Sequence, residues 1–496
     1  MSTTQNHKSV ARNSAYIFIS QLVAAVFVFV SSVYLARAVG PYTMGRYTYL
    51  IWIVSTFFTL GSLGIPTAII KFIAQHSEDK DNNTAKQIAG SWLLISLGLS
   101  VIMALILCIL AKFHVLTNHD KTLYFYLISL ALPLNIIASS LSSIFGGHRR
   151  FLPLIKIGVI CSPLSFLILV VVLSRSHSLF SIIIAYLLGS ILSFCITLIF
   201  VRKQDFISFA RLPRPVMGPM VKYAITVSAI LILDLVVWDR SEVLFLGHYS
   251  SPQQVAYYSL SYTFTANIMG LLPGSISGAL MPHIASLRKA KNQIINSYQT
   301  ASKYAGLIVG MLIGGGIALA GPFVTMVYGH DYSQMVPVFR ILFFSAGWAA
   351  IVNVGSTVLQ GMGKQNYLLK IGIVLSVVNI VADFIIIPSH GALGAAMANG
   401  GTILLGGIIV IYILNSYVGI PFPVWVYVKI LGITVASCAT ILAIISCVGG
   451  QDIWTFVLGG IGFTTMYLCL AVLTKLLKLE DILVLSKVIT RKLKLS

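Results

Sequence analysis

Acidic residues are scarce in this chain. Only 13 of its 496 positions are Asp or Glu, against 33 Lys or Arg, and charged residues of all kinds make up 9%. Soluble domains carry about 25%. With 57% hydrophobic residues and a mean hydropathy of +0.93, a water-soluble fold of this size is excluded. Cysteine is equally thin: Cys108, Cys161, Cys195, Cys438, Cys447 and Cys469 all fall inside apolar runs at no metal-like spacing. They read as small lipid- or core-facing residues, which argues against zinc and disulfides. No HExxH motif and no GxxxxGK[ST] loop is present, and Gly361-Met362-Gly363-Lys364 lacks the second spacing. ATP hydrolysis is therefore not expected. The longest polar connections lie near 75–87 and 202–220, too short for a soluble catalytic domain. No enzyme activity, metal or organic cofactor is expected.

What is present is a series of long apolar runs without the alternation of barrel strands. A helix needs about 20 apolar residues to cross a bilayer, and in lipid only helices and closed barrels satisfy their own backbone. The runs predict an all-α polytopic membrane protein with fourteen spans: 14–38, 47–74, 88–111, 122–146, 152–174, 178–201, 221–247, 254–285, 298–328, 335–361, 367–388, 391–414, 424–448 and 453–475. The first run, about 25 residues long, is too long for a signal peptide's apolar core. With the N-terminus inside, 26 Lys and Arg fall on the cytoplasmic side and 5 on the outer side, while Arg240 and Arg340 lie within spans. This bias predicts cytoplasmic termini in a plasma-type membrane. It also explains most of the net charge of +20. The cations are scattered over short loops, so nucleic acid is not an expected partner. The basic tail, 476–496, reads either as a segment lying on the anionic inner leaflet or as an ordinary positive-inside terminus.

The chain repeats itself. Gly147, Leu154, Lys156, Ile157 and Gly158 recur as Gly361, Leu368, Lys370, Ile371 and Gly372 at offset 214. Ser176-His177 recurs as Ser389-His390 at offset 213, and Pro41 and Tyr47 recur as Pro252 and Tyr258 at offset 211. Such a duplication in an apolar chain marks transporters. The offset pairs span 1 with 7, 4 with 10 and 5 with 11, so each copy holds six spans in the same orientation. The expected domains are two six-helix lobes, 1–210 and 211–420, related by a pseudo-two-fold axis along the membrane normal. Helices 13 and 14 (421–475) and the tail follow. Gly61, Gly64 and Pro66 interrupt span 2, and its counterpart, span 8, carries Gly270, Pro273 and Gly274. Interruptions in matching helices point to a hinge or gate; close helix packing is the other reading.

Charges inside spans are costly, roughly 2.5–3.5 kcal/mol each on insertion scales. Span 7 holds Asp234, Asp239, Arg240 and Glu242. At about 100° per residue the three acids share a broad face that should line a polar cavity. Arg340 enters span 10, and Asn379 and Asp383 lie one turn apart in span 11. Arg37 and Arg46 flank the turn after span 1, and Lys71 and Lys303 lie at inner helix ends. The functional reading assigns the cations Arg240, Arg340, Arg46, Arg37, Lys71 and Lys303 to an anionic headgroup. It assigns Asp234, Asp239, Glu242, Asp383 and Asn379 to a coupling ion, H+ or Na+. The structural reading has the arginines neutralise nearby acids, the lysines snorkel and Asp383 sit solvated near an outer helix end.

A family resemblance emerges from several short stretches. They are Leu35-Ala36-Arg37-Ala38-Val39-Gly40 with Gly45-Arg46-Tyr47; Asp239-Arg240-Ser241-Glu242 with Leu246-Gly247 and Tyr257-Tyr258; Pro282; Tyr328-Gly329 with Tyr332 before Arg340; Gly361 to Lys364; and Gly391 to Ala396. In order and spacing the chain resembles the multidrug/oligosaccharidyl-lipid/polysaccharide exporter superfamily, in its polysaccharide (Wzx-like, O-antigen-type) flippase branch, over nearly its whole length. The resemblance implies two six-helix lobes forming a V, plus two extra helices. It implies translocation of a polyprenyl-diphosphate-linked oligosaccharide by alternating access, coupled to an ion gradient or membrane potential. Lipid-linked oligosaccharide and membrane lipids are the expected partners, with polysaccharide-assembly enzymes nearby and a monomer as the working unit. Two alternatives stand beside this reading. One is a cation-coupled drug exporter of the same superfamily; the other is a membrane glycosyltransferase or polysaccharide polymerase, which the short outer loops disfavour.

Overall fold

The computed structural model describes residues 2–79, 81–116, 121–210, 212–237, 241–287, 290–448 and 453–477. They form helices joined by short connections, and no strand occurs among them. Ten of the helices are long and apolar enough to cross a membrane. In lipid a helix satisfies its own N–H and C=O groups, so the apolar runs fold where they lie. The chain divides into two compact units, Met1–Ala256 and Tyr257–Ser496.

The first unit holds α1 (Ser2–Ser62), α2 (Ile65–Glu78), α3 (Asn82–Lys112), α4 (Thr122–Ser129), α5 (Ala131–Gly147), α6 (Phe151–Leu173), α7 (Leu179–Arg202), α8 (Arg214–Val237) and α9 (Glu242–Tyr249). The helix α10 (Pro252–Ser286) contains the division. Both α8 and α9 pack on α1, and α8 also packs on α2, so these two helices go with the first unit. The buried apolar cluster of this unit includes Ile65, Ile69 and Phe72 of α2, Ile88 and Trp92 of α3, and Leu141, Ile144 and Phe145 of α5.

The second unit continues with α11 (Lys291–Ala318), α12 (Ala320–Tyr328), a 3₁₀ turn (His330–Tyr332), α13 (Met335–Gly361), α14 (Gln365–Tyr412), α15 (Val424–Val448) and α16 (Ile453–Leu473). The last two helices dock on α11 along a stripe of small residues. A Cβ on Gly306, Gly310 or Gly314 would lie 2.6–2.8 Å from Tyr427, Ile430 and Tyr467, or Phe463. Only hydrogen at these positions lets the helices approach. Tyr427 donates to the Ser302 carbonyl and Tyr467 to the Leu307 carbonyl, each at 2.9 Å.

Two helix ends 214 residues apart share one backbone geometry. At the end of α5, the Arg150 N–H donates to the Phe145 carbonyl and the Arg149 N–H to the Gly146 carbonyl. At the end of α13, Lys364 donates to Leu359 and Gly363 to Gln360, each residue 214 positions on. The pattern is a helix C-terminal cap closed by a left-handed residue: Arg149 at φ 55° in the first copy, Gly363 at φ 73° in the second. Packing repeats with it. A Cβ on Gly147 would meet the Ile73 side chain at 2.7 Å, and one on Gly361 would meet Ile284 at 2.9 Å.

The helix breaks do not repeat as evenly. The chain leaves helical geometry at Gly40 (φ 71°) and at Gly391 (φ 55°), where predicted spans 1 and 12 end and begin. Span 2 breaks at Leu63 (φ 41°) and Gly64 (φ 63°). Gly64 is left-handed, and a Cβ there would lie 2.8 Å from the Ala224 carbonyl oxygen of α8. Pro66 then starts α2, where a missing N–H leaves no helical bond unmade. Gly61 keeps helical geometry and packs tightly against Met103 and Ile136. In the second half α10 runs from Pro252 to Ser286, and Gly270, Pro273 and Gly274 lie within it. Proline inside a helix removes one bond, which neighbouring helices and polar side chains compensate in a membrane.

Candidate functional site

The described cations assigned to a headgroup each have their own surroundings. Arg37 is exposed on α1. Arg46 is half-buried, its guanidinium 5.6 Å from the Tyr42 ring centre and 5.8 Å from that of Tyr124. Lys71 places its ammonium 3.9 Å from the Tyr223 ring centre, a cation–π contact. Lys303 lies 5.3 Å from the ring centre of Tyr304. Arg340, half-buried on α13, donates through Nε to the Ile317 carbonyl at 3.1 Å. That carbonyl belongs to the last turn of α11, where no helical N–H remains to meet it and the dipole is negative. Arg340 therefore has a structural partner the sequence did not reveal. Arg240 and Asp239 lie outside the described residues, as does the side chain of Asp234.

Two acids are deeply buried. Glu242 is 1% exposed, in the first turn of α9, where a carboxylate meets the positive helix end. Asp383 is 0% exposed and Asn379 1%. The Asn379 amide donates to Asp383 Oδ2 at 3.3 Å. Solvation of Asp383 is thus overturned: its helix turn faces the interior, and the amide four residues back replaces water.

The first unit contains a cavity of about 480 Å³ between α1, α5, α6 and α7. Its polar lining is Ser55, Asn135, Ser139, Ser142, Tyr186, Ser193 and Thr197, and its apolar lining includes Ile51, Phe58 and Ile157. The Asn135 amide donates to the Tyr186 hydroxyl at 3.1 Å. None of the described residues singled out by charge lines this cavity. A signal was available: Asn135, Ser139 and Ser142 share one helix face, as do Tyr186, Ser193 and Thr197 at intervals of seven and four. Polar stripes of this kind inside apolar spans are uncharged, and a search for intramembrane charge passes over them.

One end of the first unit is braced by the segment 203–210. Lys86 pairs with Asp205 and Arg149 with Glu78, and the Ser208 N–H donates to the Lys86 carbonyl at 3.0 Å. Gly90 permits this approach, since a Cβ would lie 2.1 Å from the Ser208 carbonyl oxygen. Phe206 stacks on His148 with centroids 4.0 Å apart, and Arg150 lies 5.1 Å from the Phe206 ring centre. Burial, and then the Arg150 charge, hold His148 below its ordinary pKa. A histidine so depressed stabilises the fold above the ordinary histidine range and loses that contribution as pH falls through its folded value. Backbone amides at 203–210, followed by hydrogen exchange corrected for intrinsic rates, should therefore be less protected at pH 5 than at pH 7. In His148→Gln the difference should disappear; equal protection at both pH values in the native chain would contradict this account.

The helical architecture aligns with a solved membrane transporter fold. The structure of "Lipid II flippase MurJ, inward closed conformation" superposes with a TM-score of 0.72 at 15% identity, over 94% of this chain and 98% of that one. The fold is thus the all-helical, multi-pass fold of that membrane transporter. Residues 10–288, more than half the chain, match the family described as "Polysaccharide biosynthesis protein", and the chain belongs to that family. Among its relatives, "Probable flippase AglR" of Haloferax volcanii is 28% identical over 186 residues, which is 36% of this chain and 38% of that protein. "Capsular polysaccharide biosynthesis protein CapF" of Staphylococcus aureus is 22% identical over 406 residues, 78% of this chain and 94% of that one.

Proposed function

We propose that the chain is a flippase that moves a polyprenyl-diphosphate-linked oligosaccharide, a building unit of O-antigen, capsule or a similar surface polysaccharide, across the cytoplasmic membrane by alternating access. One joint observation carries the reading: membership of the polysaccharide biosynthesis family in a chain whose fold matches a lipid II flippase along 94% of its length. Fourteen membrane crossings fit the helices, once α1 is counted as two at Gly40 with its second half joined to α2, α14 is counted as two at Gly391, and α4 is joined to α5, α8 to α9 and α11 to α12. Two six-helix lobes fit the recurrence of the α5 and α13 caps at offset 214. The positive-inside bias supports cytoplasmic termini.

Within this reading Arg46, Arg37, Lys71, Lys303, Arg240 and Arg340 supply positive charge toward the diphosphate, with Arg340 also holding the end of α11. Asp383 with Asn379, together with Glu242, Asp234 and Asp239, couples transport to H+ or Na+. Gly61, Gly64 and Pro66 form a hinge, because the break at Leu63–Gly64 joins two helices without a straight hydrogen-bond ladder; Gly270, Pro273 and Gly274 remain gating candidates in α10. The protein works as a monomer next to polysaccharide-assembly enzymes.

Complementation tests the function directly. Expressed in bacterial strains that lack the flippase for O-antigen, for capsule or for a teichuronic-type polymer, the chain should restore surface glycan in one of them, read by blotting of surface polysaccharide. Normal membrane insertion without restoration in any strain, together with no movement of lipid-linked oligosaccharide in proteoliposomes, would defeat the proposal.

A further inference from the structure

We infer that the uncharged cavity of the first unit is a binding site for sugar residues, the neutral part of the cargo, separate from whatever holds the diphosphate. The inference rests on the flippase reading and assigns one chemical part of its substrate. Three helices that are otherwise strongly apolar turn seven polar side chains toward one space of about 480 Å³, and no charged residue among the described ones lines it. Its size falls in the range of about 300–1,000 Å³ typical of small-molecule sites. A polar group in a membrane interior costs free energy unless it is hydrogen-bonded. Some of these groups satisfy themselves: the Ser55 hydroxyl donates to the Ile51 carbonyl at 2.8 Å, and the Thr197 hydroxyl to the Ser193 carbonyl at 2.7 Å. The hydroxyls of Ser139 and Ser142 are half-buried on the cavity wall and hold no hydrogen bond among the described residues.

The chemistry of the wall selects the ligand. A diphosphate needs cations or an array of N–H donors, and the wall has no cation. A cationic drug needs a carboxylate, and the wall has none. A polyprenyl tail needs neither hydroxyls nor an amide. Sugar hydroxyls both donate and accept, as do serine, threonine and tyrosine hydroxyls, while an amide offers a donor and an acceptor side by side. Asn135 is held in place by its bond to Tyr186, so its carbonyl oxygen is oriented in advance. The Phe58 ring gives the apolar face of a pyranose a flat surface to rest on.

Equilibrium binding on the purified full chain in nanodiscs tests this with three probes. They are the polyprenyl-diphosphate-linked oligosaccharide extracted from source membranes, polyprenyl diphosphate without sugar, and the glycan released from the first by mild acid. Asn135→Leu and the pair Ser139→Ala with Ser142→Ala should each weaken the glycosylated lipid and the free glycan about tenfold to a hundredfold, the loss of one or two hydrogen bonds and their orientation. Binding of polyprenyl diphosphate should stay within about twofold, which also reports an intact fold. Equal loss for the lipids with and without sugar, no loss for any probe, or no binding of glycan in either form by the native chain would overturn the site. If the native chain binds free glycan, and the variants lose it, but neither lipid binds, the site stands and the flippase reading fails.

Discussion

Replacing Gly45 with valine should deplete the protein from the membrane and lower its melting temperature in detergent. Gly45 lies in α1 just after the break at Gly40. A Cβ at this position would fall 1.6 Å from the carbonyl oxygen of Pro252 and 2.4 Å from its carbonyl carbon. Both obstacles are backbone, so no rotamer change relieves them; α1 and the first turn of α10 must move apart. Overpacking a well-packed interior costs about 1–3 kcal/mol, and more where backbone must shift. Alanine at Gly45 should already show most of the effect. Gly247→Ala makes a useful comparison, because the Cβ there would meet the Tyr49 ring at 2.2 Å, a side chain that can turn away. Native-like abundance and melting for Gly45→Ala would show that the contact yields easily.

Leucine in place of Asp383 should reduce glycan export at least tenfold while the protein stays folded. The carboxyl is fully buried, with the Asn379 amide as hydrogen-bond partner. Holding a carboxylate inside a membrane helix costs roughly 2.5–3.5 kcal/mol on insertion scales. A purely structural residue at such expense would be easily improved upon, so removing the charge should leave melting unchanged or raise it. Asp383→Asn, which keeps the shape, should also lose export. The combination to measure is melting temperature with export rate on the same preparations. Full export by the leucine variant, or collapse of both variants, would make Asp383 a structural group rather than a coupling one.

Much of the fold was legible because each helix is a local event. A run such as 152–174 needs only its own residues to satisfy its backbone in lipid, and α6 spans Phe151–Leu173. Breaks were legible where glycine adopts a left-handed conformation, as at Gly64. The candidate site was read less well. Charge drew attention to Arg340, yet its Nε serves the end of α11 through Ile317, a residue 23 positions away. For Asp383 the residues in order left a coupling role and solvation near a span end side by side, and burial depends on which neighbours cover that turn.

The sequence by itself determined that this is an all-helical, multi-pass membrane protein, because hydropathy and the length of apolar runs are properties of residues in order. Only the tertiary structure decided which polar groups share a space. Ser55, Asn135, Tyr186 and Thr197 lie on three helices up to 142 residues apart, and each alone is an ordinary polar residue in a span. Helix rotation and packing bring them to one wall, and rotation is set by contacts between helices rather than by any helix's own sequence.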